Sequence, residues 1–436
     1  MRSQKALDLR KSSWMMNAMN ELVTRRNILK TTSLLIAGSA VGKTLMAEGA
    51  GPIQDLAQTL LPYLQNPSAD GMSVCFLARE ATDVFVLLFP ENAKMPIKTI
   101  AEPMPIPATP WTRWKVRFTG LKAGTRYKYQ VCYTHEGEEL KTETYSFVTL
   151  DPQAVETKVA VFNDIHDRRE TISALMKQIK AEDFDFSIFN GDMINDPSAA
   201  DGARKVFELW DFYVKLLDGH SKPIIFVRGN HEVRGSFKEN LHYIFDLPDL
   251  AAEQKPEDQQ WQFQFTAGPV HFVAMDTGED DGPETPHDSY KRPLFWQAYR
   301  KRQAEWLRTL VKEKVGVGSP WRIFISHIPL HNPAGWYSIS SRDDWNPLLK
   351  DYGVSLMLAG HDHQWKFLPA NKTFKIAGKQ NQEDTPDVPV LIGGGPAMNQ
   401  GTVILLDASS KEVTARMYHT SGKLLEKFST KKALGS

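Results

Sequence analysis

Short apolar runs in the second half of the chain end repeatedly on aspartate, asparagine or histidine, and this pattern restricts the fold more than any other feature. Val159 to Phe162 leads into Asn-Asp, Phe186 to Phe189 leads towards Gly-Asp, and Ile224 to Val227 leads towards Gly-Asn-His. Thr171 to Ala181, between the first two runs, has the apolar spacing of an amphipathic helix. Alternating strands and helices of this kind are typical of α/β folds, which bind ligands at their strand ends.

The same pattern continues towards the C-terminus. Val270 to Met275, Ile323 to Ser326 and Ser355 to Leu358 are further apolar runs, and the last two lead into His and Gly-His. Two closing strands are predicted at Val403 to Leu406 and Val413 to Tyr418. The polar, glycine- and proline-rich segment from residue 276 to residue 299 is predicted to form a loop over the site, where residues 290–292 could meet a substrate.

The residues that follow these strands are all oxygen or nitrogen donors. They are Asp164, His166, Asp192, Asn230, His231, His327, His361 and His363. Donors of this kind suit iron, zinc and manganese, and they are too numerous for one tetrahedral ion. Each short motif alone has a structural explanation, such as a turn or a core histidine. Their common position after apolar strands favours two metal ions that share a bridging carboxylate.

This ordered set resembles the calcineurin-like metallophosphoesterase family over residues 158 to 410. The resemblance rests on five motifs: Asp164-Ile165-His166, Gly191-Asp192, Gly229-Asn230-His231-Glu232, Ser326-His327 and Gly360-His361-Asp362-His363. It implies an α/β fold, a four-layered α/β/β/α sandwich with a dinuclear metal site at the strand ends.

The resemblance also implies a role for each residue. One metal would be held by Asp164, His166, Asp192 and His363, and the other by Asp192, Asn230, His327 and His361. Asp192 would bridge the ions as a catalytic residue, and His231 would be the catalytic residue that meets the phosphate or the leaving group. Asn230, His231 and His331 are the candidate substrate-binding residues, and a loop position is an equal alternative for His331. The implied cofactors are two divalent or mixed-valence ions of iron, manganese or zinc.

The implied function is metal-dependent hydrolysis of phosphate esters. A hydroxide activated by the two metals would attack phosphorus in line, with phosphomonoesters as the first choice of substrate. A phosphodiesterase or nucleotidase with the same site and a non-catalytic binding protein are the alternatives. Purple acid phosphatases have a metal-binding tyrosine where this chain has Asn195, and glycine where it has His166. The colour of that subfamily is therefore expected to be absent.

Residues 51 to 152 are predicted to form a separate small β domain, followed by the metallophosphoesterase domain at 153 to 436. Apolar β-rich runs occur at residues 73–77, 83–89, 114–118 and 127–133. The segment from Gly120 to Tyr129 resembles the tyrosine corner of a fibronectin type III sandwich, and the region resembles the N-terminal domain of purple acid phosphatases. The only two cysteines, Cys75 and Cys132, lie here; we expect free thiols that point outward from their sheets.

Residues 1 to 50 resemble a twin-arginine export signal. Arg25 and Arg26 precede a short apolar stretch, residues 31–42, and a region of small residues. An uncleaved membrane anchor is the alternative, but the stretch is shorter than the ~20 residues that span a bilayer. We expect a periplasmic or secreted protein that uses the twin-arginine machinery and does not stay inserted in the membrane. Lysine plus arginine and aspartate plus glutamate are both 52, and this balance argues against nucleic-acid binding.

Overall fold

The computed structural model describes residues 59–91, 94–179, 184–248, 259–279, 293–335, 339–377 and 382–432. The predicted export signal at 1–50 lies outside these residues. Residues 56–436 form one compact unit, so the predicted boundary at residue 152 stays a prediction. The strands are β1 Tyr63–Gln65, β2 Met72–Ala78, β3 Thr82–Pro90, β4 Ile97–Ile100, β5 Glu102–Pro105, β6 Thr112–Phe118, β7 Arg126–His135, β8 Glu138–Lys141, β9 Tyr145–Val148, β10 Glu156–Phe162, β11 Phe186–Asn190, β12 Ile224–Val227, β13 Phe263–Ala267, β14 Val270–Met275, β15 Trp321–Ser326, β16 Leu356–Ala359, β17 Lys366–Leu368, β18 Phe374–Lys375, β19 Glu383–Asp384, β20 Val390–Ile392, β21 Thr402–Ser409, β22 Glu412–His419 and β23 Leu424–Lys431. The helices are α1 Arg169–Ile179, α2 Ala200–Leu216, α3 Pro293–Glu313 and α4 Ile339–Tyr352, with a 3-10 helix at Lys238–Tyr243.

The N-terminal part of the unit is a β-sandwich. One sheet has the order β1-β2-β6-β5, and the other has the order β4-β3-β7-β8 with β9 on β7. Alternate residues of the strands, including Val74, Val86 and Val131, share one hydrophobic cluster between the sheets. The Tyr127 hydroxyl accepts a 2.9 Å hydrogen bond from the Lys122 backbone, as a tyrosine corner requires. The predicted fibronectin type III-like region is therefore confirmed.

The outer face of the first sheet is covered as well. Cys75 and Leu77 point away from the sandwich core, yet they are buried in the hydrophobic cluster that contains Trp210 of α2. Both cysteines are free, as expected, but Cys75 is fully buried because the α/β part packs over its sheet. The Tyr63 hydroxyl donates to the Ile244 carbonyl at 2.8 Å, which adds a polar contact to this interface.

The remaining residues form four layers. One six-stranded sheet has the order β12-β11-β10-β21-β22-β23, and the other has the order β13-β14-β15-β16-β20-β17. Ile323 and Ile325 of β15 face the first sheet, whereas Phe324 faces α3 and α4. Helices α1 and α2 pack on the other side of the first sheet. The predicted α/β/β/α sandwich is confirmed.

The predicted strands match the observed ones where both faces are buried. Ile224–Val227 and Val270–Met275 have the predicted bounds, and α1 begins at Arg169, two residues before its predicted start. The predicted loop at 276–299 is wrong in its last part, because α3 begins at Pro293. Proline is favoured in the first turn of a helix, so it did not signal a loop here. No helix among the described residues is long and apolar enough to span a membrane.

Candidate metal centre

The predicted ligand residues meet at the carboxyl ends of strands from both six-stranded sheets. In the first sheet, β10, β11 and β12 are parallel, and Asp164, Asp192 and Asn230 follow them within three residues. In the second sheet, β15 and β16 are parallel, and His327 and His361 follow them within two. Parallel strands bring their carboxyl ends to one edge, so five distant segments contribute to a single site.

The first group consists of Asp164, His166, Asp192 and His363, and one ligand atom of each lies within 4.8 Å of the others. His166 Nε2 is 3.5 Å from Asp192 Oδ2, and His363 Nε2 is 3.4 Å from Asp164 Oδ1. The two imidazoles also bring their Nε2 atoms to 3.1 Å from one another. Asp164 Oδ1 is buried and has no hydrogen-bond partner among the described residues. Carboxylate oxygens and imidazole nitrogens that face one another in this way fit a cation at their centre.

The second group shares Asp192 with the first and adds His327 and His361. His327 Nε2 is 3.1 Å from Asp192 Oδ2, while His327 Nδ1 is 2.9 Å from the Asn190 carbonyl oxygen. That contact fixes the ring orientation and leaves Nε2 for the site.

Asn230 joins the second group through its amide oxygen. This oxygen is 3.1 Å from His327 Nε2 and 2.9 Å from His361 Nδ1. Without a cation, the reversed amide would be better paired, because its NH2 group would face these nitrogens and its oxygen would face Arg234. The inward oxygen is the orientation that a cation between these atoms would favour.

The carboxylates of the site shift the pKa values of the histidines around them. Burial lowers the pKa of His327, but Asp192 and Asp164 outweigh this effect and raise it to about 10. Burial also lowers the pKa of His166, and the same two carboxylates raise it to about 9. Burial raises the pKa of Asp164, but the surrounding histidines hold it well below its ordinary value. In the absence of a cation, protonated imidazoles therefore balance the two buried carboxylates.

The backbone is strained where it presents the ligands. Five of them lie in the left-handed region, with φ between 45° and 74°: Asp164, His166, Asp192, His361 and His363. Few non-glycine residues adopt this conformation, and such outliers cluster at functional sites. Glycines at Gly191 and Gly360 give the ligands room, since a Cβ atom there would lie 2.3 Å from His327 and 2.4 Å from Asp164.

Glu232 is fully buried and organises the backbone around Asp192. It accepts hydrogen bonds of 2.8 to 2.9 Å from the backbone N–H groups of residues 192, 193, 194 and 229. Burial and the nearby Asp192 raise the pKa of Glu232 to about 7, whereas these donors favour its charged form. Glu232 therefore holds the Gly191-Asp192 and Gly229-Asn230 turns together.

Two consecutive residues hold the neighbouring histidines. Asn195 Oδ1 is 3.0 Å from His166 Nδ1, and Asp196 Oδ1 is 2.8 Å from His231 Nδ1. Asn195 thus supports His166 through the ring nitrogen that faces away from the carboxylates. His231 lies beside the first group, because its ring centroid is 4.5 Å from that of His166.

His331 contacts residues outside the two ligand groups. Its Nδ1 is 2.9 Å from Asp384 and its Nε2 is 3.1 Å from Asn346, and the residue is buried. Both ring nitrogens are thus occupied by contacts that join the loop after β15 to β19 and to α4. The substrate-binding role of His331 stays a prediction. Residues 290–292 lie outside the described part of the chain.

Arg234 also lies against the site, although no sequence motif indicated it. Its Nη1 is 3.2 Å from His231 Nε2, and its guanidinium donates two hydrogen bonds to Glu279. The available signal was its position, three residues after His231 in a turn that follows a buried strand.

Comparisons with known proteins concern the family and the fold. Residues 157–365 match the family model described as calcineurin-like phosphoesterase. The solved structure of PhoD is similar over 85% of this chain and 88% of that chain, with a TM-score of 0.59 and 12% identity, which shows a shared fold. Yfce, a phosphoesterase from E. coli, is similar over 62% of this chain and 98% of its own, with 10% identity and a TM-score of 0.29. No curated protein sequence matches the chain significantly.

Proposed function

We propose that this chain is a metal-dependent hydrolase of phosphoric esters, and that it hydrolyses phosphomonoesters at a dinuclear metal centre. The match of residues 157–365 to the calcineurin-like phosphoesterase family model and the fold shared with PhoD support this proposal. The observation that carries the proposal is the pair of overlapping ligand groups that share Asp192. A single ion would not need both groups, whereas two ions with a common carboxylate would use every donor.

Seven residues would hold the two ions, because Asp192 is shared. The first ion would be held by Asp164, His166, Asp192 and His363, and the second by Asp192, Asn230, His327 and His361. The donors are oxygen and nitrogen atoms throughout, which suits iron, manganese or zinc. When bound, the two ions would neutralise phosphoryl oxygens and lower the pKa of a coordinated water towards 7, so that it can attack phosphorus.

His231 is proposed to assist the leaving group. Asp196 holds its Nδ1 at 2.8 Å, which directs Nε2 towards the site. Burial, together with the nearby His166 and Arg234, lowers the pKa of His231, so a protonated ring gives up its proton readily. A proton delivered from Nε2 matters most when the leaving alkoxide is a strong base. Replacing His231 by alanine should therefore slow the hydrolysis of an alkyl phosphate about 100-fold, and that of p-nitrophenyl phosphate far less. Equal losses for both esters would exclude this role.

The substrate class is tested with two related esters. Metal-loaded protein is assayed with p-nitrophenyl phosphate and with bis(p-nitrophenyl) phosphate after addition of manganese, zinc or iron. We expect kcat/KM for the monoester to exceed that for the diester by at least about tenfold, because a dianion gains more from two cations. The opposite order would replace this proposal with a phosphodiesterase.

We further propose that the enzyme acts outside the cytoplasm after twin-arginine export. The support is the Arg25-Arg26 pair followed by a short apolar stretch. Replacing both arginines by lysine should leave the protein in the cytoplasm when cell fractions are assayed by immunoblot. A variant that reaches the periplasm as efficiently as the unchanged protein would disprove this route.

A further inference from the structure

Arg234 is fixed beside the metal centre by a buried carboxylate. Its Nε and Nη2 donate to the two oxygens of Glu279 at 2.6 and 2.5 Å, and Glu279 is fully buried. The Arg234 side chain itself keeps 20% of its surface exposed. A bidentate pair of this kind sets the direction of the guanidinium, so the rest of the group faces the site with little freedom.

The other side of the guanidinium faces two site residues. Nη1 is 3.2 Å from His231 Nε2, and Nη2 is 2.9 Å from the outer atom of the Asn230 amide. When Asn230 turns its oxygen towards the metals, that outer atom is the NH2 nitrogen. Two donor groups then lie 2.9 Å apart with no acceptor between them among the described residues.

Two hydrogen-bond donor groups can lie this close together when both donate to the same anionic acceptor. A phosphoryl oxygen supplies one, because it can accept from the Arg234 guanidinium and from the Asn230 NH2 group together. We propose that Arg234, with the Asn230 NH2 group, binds the phosphoryl oxygen that does not contact the metals. Arg234 is then the residue that selects phosphomonoesters over phosphodiesters, an inference that rests on the proposed function.

The selection follows from the charge and shape of the two esters. A monoester has three terminal oxygens, so two can face the metals while a third, charged oxygen faces Arg234. A diester carries a neutral ester oxygen with an organic group at that third position. This group offers no charge to the guanidinium and fills the space in front of it, so Arg234 would favour the monoester by attraction and disfavour the diester by crowding.

Binding of two phosphate probes separates this role from catalysis. Metal-loaded protein is titrated calorimetrically with inorganic phosphate and with dimethyl phosphate, and metal content is measured in each sample. The main variant combines Arg234→Met with Glu279→Gln, so that no buried charge is left without a partner. Arg234→Lys keeps the charge but cannot form the bidentate contact. The matched control, Arg416→Met with Asp407→Asn, removes an arginine–aspartate pair elsewhere in the chain.

We expect the dissociation constant for inorganic phosphate to rise about 10- to 100-fold in the main variant and about tenfold in Arg234→Lys. That for dimethyl phosphate should change less than about threefold, and the control should match the unchanged protein. The ratio of kcat/KM for monoester over diester should fall in parallel. Unchanged phosphate affinity, equal weakening for both probes, or loss of metal from both Arg234 variants would overturn the proposal. Failure of the proposed function is a separate result, in which the unchanged protein hydrolyses neither ester or prefers the diester.

Discussion

Two places where the described residues bury acidic side chains differ in how those side chains are paired. Asp246, at the interface between the β-sandwich and the α/β layers, accepts from Ser73 at 2.6 Å and from Lys115 at 3.1 Å. Asp164 and Asp192 lie at the strand ends and face histidine nitrogens. Asp164 Oδ1 has no hydrogen-bond partner among the described residues. Both places are almost fully buried, so exposure to water does not explain the difference.

The charge of Asp246 stabilises the fold, whereas the charges of Asp164 and Asp192 are available to bind a ligand. A buried carboxylate with donors on both oxygens has its desolvation offset within the chain. The carboxylates of the metal centre leave acceptors pointing at a common space, and a cation is the group that would satisfy them. Changing one carboxylate of each kind should therefore affect different properties of the protein.

The largest effect is expected from Asp192→Asn. Asp192 is the shared member of both ligand groups, and its loss should remove one ion and weaken the other. We expect kcat/KM for p-nitrophenyl phosphate to fall at least about 1000-fold, since metal charge stabilisation supplies several kcal/mol. The measurement is an assay with added manganese, with circular dichroism to verify the native fold. Activity within tenfold of the unchanged protein would contradict the shared-ligand scheme.

Asp246→Ala is expected to reduce stability and to leave the activity of the folded protein nearly unchanged. This change removes the ion-pair partner of Lys115 and the negative charge near the buried Arg113, so the free energy of unfolding in urea should fall by about 3 kcal/mol. The kcat of the remaining folded protein should stay within about twofold, because Asp246 does not contact the metal centre. A variant with unchanged stability and lost activity would show that the two places do not differ as described.

The sequence predicted the elements whose pattern is decided locally. Fully buried parallel strands such as Ile224–Val227 are apolar throughout, so their bounds could be predicted. The edge strand β8, Glu138–Lys141, is exposed at every position and carries no apolar pattern, so it could not be predicted. The burial of Cys75 also could not be predicted, because alternation shows only which face of a sheet a residue is on.

The site also contains residues that the sequence could predict and residues that it could not. The ligands could be predicted because they follow strands and match ordered motifs. Arg234 and Glu279 could not, since 45 positions separate them and their pairing depends on the three-dimensional path of the chain. Glu232 is part of an ordered motif, but its four backbone contacts could not be predicted, because they join two turns that are distant in the sequence.

A moderate effect is expected from Asn195→Ala. Asn195 contacts His166 Nδ1, the nitrogen opposite the one that faces the carboxylates. Loss of such a supporting contact commonly weakens metal affinity 10- to 100-fold. Competition with a chelator of known affinity measures the change, and Asn371→Ala, an exposed asparagine in a turn after β17, is the control. Equal affinities in the two variants would show that His166 does not depend on Asn195.

The smallest effect is the pH dependence of stability that Asp246 contributes. Burial raises the pKa of Asp246, but Arg113 and Lys115 outweigh this effect and hold it below its ordinary value. Its contribution is therefore present above the unfolded-state pKa of about 3.9 and is lost as the pH falls through the lower folded-state pKa. Between pH 5 and 8, Asp246→Asn should be less stable than the unchanged protein by a constant amount in urea titrations. This gap should shrink below pH 4, and a gap that widens there would contradict the assignment.

Anomalous X-ray scattering from crystals grown with manganese or zinc locates the ions themselves. We predict two anomalous peaks per chain, one surrounded by Asp164, His166, Asp192 and His363 and the other by Asp192, Asn230, His327 and His361, with Asp192 within about 2.2 Å of both. A single peak, or peaks away from Asp192, would contradict a dinuclear centre built on that carboxylate.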